Sequence, residues 1–329
     1  MNYIELKHSN IRISKLGLGS WAIGGGTYWG ENNDAESVKT IHTALEQGIN
    51  VVDTAPVYNF GHSEEVVGKA IRDRRDKVIL ATKCGLNWDE NRGGYRHSQD
   101  RGHQVYRNLT PASIRKDVQD SLRRIGTDYI DICITHWPAV PEFPTPIEET
   151  MGELMKMKQE GLIRAIGASN VNEQIVEEYL KYGQLDIIQE RYSMLDRKNE
   201  RLFRFCQDRD ISIMAYSPLE QGLLAGKYKR DFKNESGGGR MGKPWYQPEN
   251  LAKLWDMMDR WKPLYEKYDC TMSQLVIAWT AAQATNLQVL CGCRKPEQIL
   301  DDVRGGEITL CEEDIKFMTS LAEETAATP

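Results

Sequence analysis

The chain has 329 residues, a formal net charge of −6 and 40% hydrophobic residues, a balance that fits a globular protein rather than a disordered one. It has no long basic run and no apolar stretch near the roughly 18 residues of a membrane span, so nucleic acid and membrane are poor partners. Seven scattered cysteines and an N-terminus without a signal-peptide pattern point to reduced thiols in the cytoplasm. Cys291-Gly292-Cys293 is too tight for the usual zinc spacing and has no second pair, so no metal is expected.

In chain order, Tyr3 to Leu6 and Ile11 to Ile13 read as a hairpin turned by His8-Ser9-Asn10. Strand one, Leu16 to Trp21, leads into a glycine-rich loop that reaches Gly30. Asp34 reads as the cap of a helix with Val38, Ile41 and Leu45 on one face and a stop at Gly48. Strand two, Ile49 to Val52, runs into Asp53, and Pro56 closes it because proline has no N–H for a ladder. Ser63 reads as the next cap, with Glu64 and Glu65 well placed in the first turn. Strand three, Val78 to Thr82, runs into Lys83.

A long polar stretch from Asn87 to Asn108 precedes Thr110-Pro111, which opens a helix with the stripe Ile114, Val118, Leu122 and Ile125. Strand four, Ile130 to Thr135, runs into His136. Thr145-Pro146-Ile147-Glu148 reads as a capping box whose helix stops at Gly161. Further strands are read at Ile163 to Gly167, Leu185 to Gln189, Ile211 to Tyr216 and Leu287 to Cys291. Helices are read at Glu173 to Tyr182, Glu200 to Arg209, Leu251 to Tyr268 with a break at Pro263, Ser273 to Gln283, Pro296 to Val303 and Glu312 to Glu323. Eight strand–helix beats without a composition break argue for one α/β domain over residues 1–329, a (β/α)8 TIM barrel with an N-terminal β-hairpin and an extra C-terminal helix. A doubly wound sheet has the same beat, but no GxGxxG follows strand one.

An acid (Asp53), a phenol (Tyr58), an ammonium (Lys83) and an imidazole (His136) thus fall at or just beyond the ends of three successive strands. In a parallel barrel that end is the active face. The flanking motifs DTAPVY, ATKCG and THWP resemble those of the aldo-keto reductases, and the resemblance covers nearly the whole chain. It implies that the hairpin caps the closed end of the barrel and that the four residues are catalytic. Carbonyl reduction needs a hydride donor on one face and a proton donor at the oxygen. A free tyrosine, with a pKa near ~10, is a poor acid at neutral pH. Lys83 would lower that pKa, Asp53 would hold Lys83, His136 would orient the carbonyl and Tyr58 would be the general acid. The structural alternative is a core Asp53–Lys83 ion pair with two loop polar groups.

The loops after strands seven and eight often bind phosphate in barrels. Here they carry Ser217 to Lys227 and Gly292 to Gln298, and the resemblance implies an NADP(H) clamp. It assigns Ser169, Asn170 and Gln189 to the nicotinamide carboxamide and Tyr216 to ring stacking. Ser217, Leu219, Gln221 and Gly222 would line the pyrophosphate, and Arg294 with Lys295 would meet the 2′-phosphate. Gln298 and Asp302 would lie near the adenosine, where the family often has Asn in place of Asp302. Gly19, Ser20, Trp21, Asp53, Pro218, Lys227 and Gly292 complete the expected cofactor set. The alternative for Arg294-Lys295 is a solvated basic turn.

Trp21, Trp88 and Trp137, with Tyr58 and His136, are the expected substrate walls, and ordinary packing is the alternative for each tryptophan. The Asn87–Asn108 stretch either walls the site or is a solvated loop, and Ser236 to Arg240 reads as a flexible turn over the cofactor. The resulting expectation is a cytoplasmic NADP(H)-dependent oxidoreductase for a small carbonyl or sugar-like substrate, closest to bacterial stress-related and inositol-associated members. The rival is an NADPH-sensing subunit like the β-subunits of potassium channels. The substrate, the direction of reaction and any homo-oligomer are left open.

Overall fold

The computed structural model describes residues 1–88, 93–100, 102–230, 232 and 243–325. Strands β1 (Tyr3–Leu6) and β2 (Ile11–Ser14) form an antiparallel hairpin. Eight parallel strands close a barrel: β3 (Leu16–Gly19), β4 (Val51–Asp53), β5 (Ile79–Cys84), β9 (Ile130–Thr135), β10 (Ile163–Ser169), β11 (Ile187–Arg191), β12 (Ser212–Tyr216) and β13 (Leu287–Gly292). Strands β6 (Leu86–Asn87), β7 (Tyr95–Asp100) and β8 (His103–Arg107) make a separate antiparallel sheet in the order β6-β8-β7. The helices are α1 (Asp34–Glu46), α2 (His62–Ile71), α3 (Pro111–Ile125), α4 (Ile147–Gln159), α5 (Glu173–Tyr182), α6 (Glu200–Gln207), α7 (Pro248–Arg260), α8 (Lys262–Tyr268), α9 (Met272–Ala281), α10 (Pro296–Glu307) and α11 (Glu312–Glu324). None of the described helices is long and apolar enough to cross a membrane.

The side-chain period of two in a strand sorts the core into two layers. Val51, Ala81, Ile132, Ile134, Ala165, Ile187, Met214 and Leu290 fill the barrel interior. Ile4, Leu6, Ile11 and Ile13 of the hairpin join that cluster, while Tyr3, Glu5 and Arg12 face out. The hairpin is therefore a plug at one end, as expected. Alternate strand residues such as Val52, Leu80, Cys133, Ile166, Ile188 and Ile213 belong to the larger layer under the helices.

Three helix starts differ from their expected form. Asn33, not Asp34, caps α1, its side chain accepting from the Glu36 amide at 3.1 Å. Asp34 instead meets His62 and Lys69 of α2. Gly61, with φ of 94°, precedes α2, and the Ser63 hydroxyl lies buried against the hydroxyls of Ser20 at 2.7 Å and Thr54 at 3.0 Å. Glu64 is buried too, bonded to Thr82 and Arg124. Helix α4 starts after Pro146 with no side-chain cap, so the expected capping box does not form. Pro263 lies in the first turn of α8, after the break at Trp261, as its missing N–H requires.

Close packing of α2 on the end of α3 depends on Gly68. A Cβ there would stand 2.3 Å from the Ile125 carbonyl oxygen, so the backbone must shift to admit one. Gly68→Ala is expected to cost about 1–3 kcal/mol. Urea unfolding checks this, and a variant as stable as the parent would contradict it.

Candidate active site

On six of the eight barrel strands the inward-facing row ends, one step nearer the C-terminal rim, in a polar residue. Val51 is followed by Asp53, Ala81 by Lys83, Ile134 by His136, Gly167 by Ser169, Ile187 by Gln189 and Met214 by Tyr216. The same alternation that fills the barrel thus crowns it with the candidate groups. Strand β5 runs further than expected, because Lys83 and Cys84 stay in register with Ile134 and Thr135 of β9. Lys83 therefore points into the barrel while Cys84 packs outside it. The Cys84 thiol lies 4.0 Å from that of Cys133, and the partner and burial raise its pKa, so it is a packing residue.

The Lys83 ammonium donates to both Asp53 oxygens at 2.8 Å and to the Thr54 carbonyl at 2.9 Å. Both charged residues are only 1% exposed. Burial pushes the lysine pKa down, and Asp53 opposes that. The ammonium also lies 4.8 Å from the centre of the Tyr58 ring. Tyr58 and His136 meet edge to face at 6.0 Å. The phenol does not follow the expected fall in pKa. Burial, then the negative charge of Asp53, pushes it well above its ordinary value. The lysine charge is already committed to Asp53 and lies against the ring face. His136 is driven well below the usual imidazole range by burial, then by Lys83, His97 and Arg107. At neutral pH the site thus holds a protonated phenol and an uncharged imidazole.

The expected nicotinamide group is joined to these residues. The Gln189 amide donates to Asp53 Oδ1 at 2.8 Å, and Ser169 Oγ donates to the Gln189 carbonyl at 2.7 Å. Asn170 donates to the His136 carbonyl at 2.9 Å and accepts from the Tyr216 hydroxyl at 2.9 Å. Behind them the buried Glu190 accepts from the Val171 amide at 2.7 Å, and burial raises its pKa to about 8. The sequence held no periodic or motif signal for that last contact.

Further round the rim, Ser217, Glu220, Gln221 and Gly222 all have positive φ, a turn of the kind that presents backbone amides to an anion. Glu220 anchors it, accepting from Ser193 and pairing with Arg191 of β11. Open space lies at Gly222 and Gly292. A Cβ at Gly222 would meet only the Tyr228 hydroxyl at 4.0 Å, and one at Gly292 only the Gly19 carbonyl at 3.9 Å. Turn and space together fit a dinucleotide laid across the ends of β12, β13 and β3.

The adenosine end departs from expectation. Gln298 accepts from the Arg294 and Lys295 amides at 2.9 and 3.2 Å, so it caps α10. Asp302 is buried, accepts from the Cys293 thiol at 2.9 Å, and is raised by burial to about 7. It faces the protein rather than an open adenine site. One arm of the Arg294 guanidinium donates to the Trp29 carbonyl at 3.0 Å, while Lys295 and Lys227 are exposed.

A cleft of about 340 Å³ opens on Tyr58 and His136 of the tetrad, with Trp21 and Trp137 also among its walls. Trp88 is not one of them; it packs on Phe60 at 5.6 Å and near Arg124. The described part of the polar 87–108 stretch forms a sheet rather than a loose loop, and its His97, Ser98, Asp100 and Val105 line the cleft. Asp89, Glu90, Arg92 and Arg101 of that stretch, and the turn from Ser236 to Arg240, lie outside the described residues. A separate hollow of about 450 Å³ between α6 and α11 holds none of the tetrad.

The sequence matches the Aldo/keto reductase family over residues 15–323. The chain is an aldo-keto reductase. Its sequence is 46% identical over 328 residues to the NADH-specific methylglyoxal reductase of Escherichia coli, covering 98% of this chain and 99% of that one. It is 35% identical to the aldo-keto reductase YhdN of Bacillus subtilis, over 100% and 96% of the two chains. Among solved structures it is similar to a glycerol dehydrogenase from Gluconobacter oxydans, with 35% identity, a TM-score of 0.89 and coverage of 99% and 97%. This aldo-keto reductase is therefore an oxidoreductase of a family that binds nicotinamide cofactors and acts on small carbonyl compounds.

Proposed function

We propose that this aldo-keto reductase reduces short, polar aldehydes, with Tyr58 as the proton donor. The observation that carries the reading is the buried Asp53–Lys83 pair set against the ring of a protonated Tyr58, with an uncharged His136 beside it. A bound nicotinamide would supply the hydride. His136 donates to the carbonyl oxygen and holds it toward Tyr58. As negative charge grows on that oxygen it becomes far more basic than a phenolate, so even a high-pKa phenol gives up its proton. Lys83 then stabilises the phenolate. Asp53 fixes the lysine, and Gln189, Ser169, Asn170 and Tyr216 position the ring-bearing end of the cofactor. Trp21 and Trp137 exclude water from the cleft.

We propose NADH as the preferred donor. The 46% identical relative is named as NADH-specific, and one arm of Arg294 is engaged by the Trp29 carbonyl. A second reading, NADPH, is favoured by the adjacent cations Arg294 and Lys295 and by the family pattern. The two readings separate in kcat/KM for each nucleotide: NADH is expected to be the better donor, whereas an arginine that read the phosphate would favour NADPH by about 10-fold or more, since a charged hydrogen bond is worth about 1.5–3 kcal/mol. A preference for NADPH that is lost in Arg294→Ala would restore the phosphate-reading role of the arginine.

A further inference from the structure

His97 leaves β7 toward the cleft that His136 also lines. Arg107, across the sheet on β8, donates from Nε to His97 Nδ1 at 3.0 Å. A guanidinium has no acceptor, so Nδ1 is the acceptor and the imidazole proton sits on Nε2. Arg107 is itself held, donating to the Pro138 carbonyl at 3.2 Å and lying 4.7 Å from the centre of the Trp137 ring. His97 packs on the same Trp137 at 5.2 Å. Burial, then Arg107, lowers the His97 pKa to about 4, which keeps the ring neutral. No hydrogen bond among the described residues takes up Nε2. The cleft thus contains a second imidazole with its tautomer fixed, carried on β7 and packed against Trp137, the residue next to His136.

We propose that His97 is a specificity-determining residue whose Nε2–H binds an oxygen on the carbon next to the reacting carbonyl, so that 2-oxoaldehydes and 2-hydroxyaldehydes are favoured over simple aldehydes. This rests on the reductase reading above and adds to it a residue outside the tetrad. The hydrogen bond goes to a group that does not react, so it strengthens binding in ground and transition states alike and its loss raises KM more than it lowers kcat. A neutral donor also suits an uncharged oxygen better than a carboxylate, which an ammonium or a free guanidinium would select.

The test compares kcat/KM for methylglyoxal and glycolaldehyde with that for propionaldehyde, in the parent, His97→Phe and His97→Gln. In His97→Phe the preference for the two oxygen-bearing aldehydes is expected to fall about 10-fold, the size of one hydrogen bond, and mainly through KM. His97→Gln places an amide N–H near the lost Nε2–H and restores most of the preference. Arg107→Met, which leaves His97 in place and frees its tautomer, gives an intermediate fall. Equal losses for all three aldehydes, or an unchanged preference in His97→Phe, overturn the proposal while the reductase reading stands. A parent protein that reduces none of the three with either nucleotide overturns both.

Discussion

Tyr58→Phe is expected to lower carbonyl reduction by roughly 10²–10⁴-fold, the usual contribution of a general acid, with nucleotide binding and fold nearly unchanged. The ring remains to pack against Trp21 and His136, at 6.3 and 6.0 Å, and only the hydroxyl is lost. The loss should appear in kcat, because the proton moves in the transition state and not on binding. The pH profile sharpens the expectation. The parent phenol is held above its ordinary pKa, so its protonated form persists through neutral and mildly alkaline pH. His136 is held below its ordinary pKa, so it stays neutral down through mildly acid pH. The reduction rate should therefore be nearly flat between about pH 6 and 9, falling only when the phenol loses its proton. Steady-state kinetics across that range checks it; near-parental turnover in Tyr58→Phe would contradict the assignment.

Lys83→Met should have two effects that separate in a double variant. It leaves the Asp53 carboxylate buried with only the Gln189 amide as a described side-chain donor. Breaking one partner of a buried pair typically costs about 3–5 kcal/mol. It also removes the cation beside the Tyr58 ring, so reduction should fall by about 10²-fold or more. Adding Asp53→Leu removes the stranded charge and is expected to recover much of the stability but none of the activity. Thermal melting and kcat/KM on the two variants are the measurements. Activity returning together with stability would mean that the pair serves the fold alone.

The sequence made the barrel legible because its strands are nearly continuous apolar runs and its helices carry clear stripes, the signature of a parallel sheet covered on both faces. The tetrad was legible because Asp53, Lys83 and His136 each end or directly follow such a run and Tyr58 shares the compact motif of Asp53. What escaped was polar structure. Strands β7 and β8 have only Val105 buried, so no alternation marked them as strands, and the wall they form read as a loop. Helix caps at Asn33 and Gly61 were misplaced by one or two residues because several polar residues competed for each start. The inward turn of Asp302 onto Cys293 could not be read from a chain in which the two lie nine residues apart. Trp88 stood beyond a strand end like Trp137, yet the fold turns it behind Phe60.

The central claim is that hydride passes from a nicotinamide to a carbonyl held by Tyr58 and His136. It is tested most directly with NADH carrying deuterium at both C4 positions, given in turn to the parent and to Tyr58→Phe with methylglyoxal. Mass spectrometry of the product alcohol from the parent should show one deuterium on the former carbonyl carbon, with no exchange into water, and Tyr58→Phe should form that product at least about 100-fold more slowly. An alcohol without deuterium, or labelled product formed equally fast by the variant, would contradict the account.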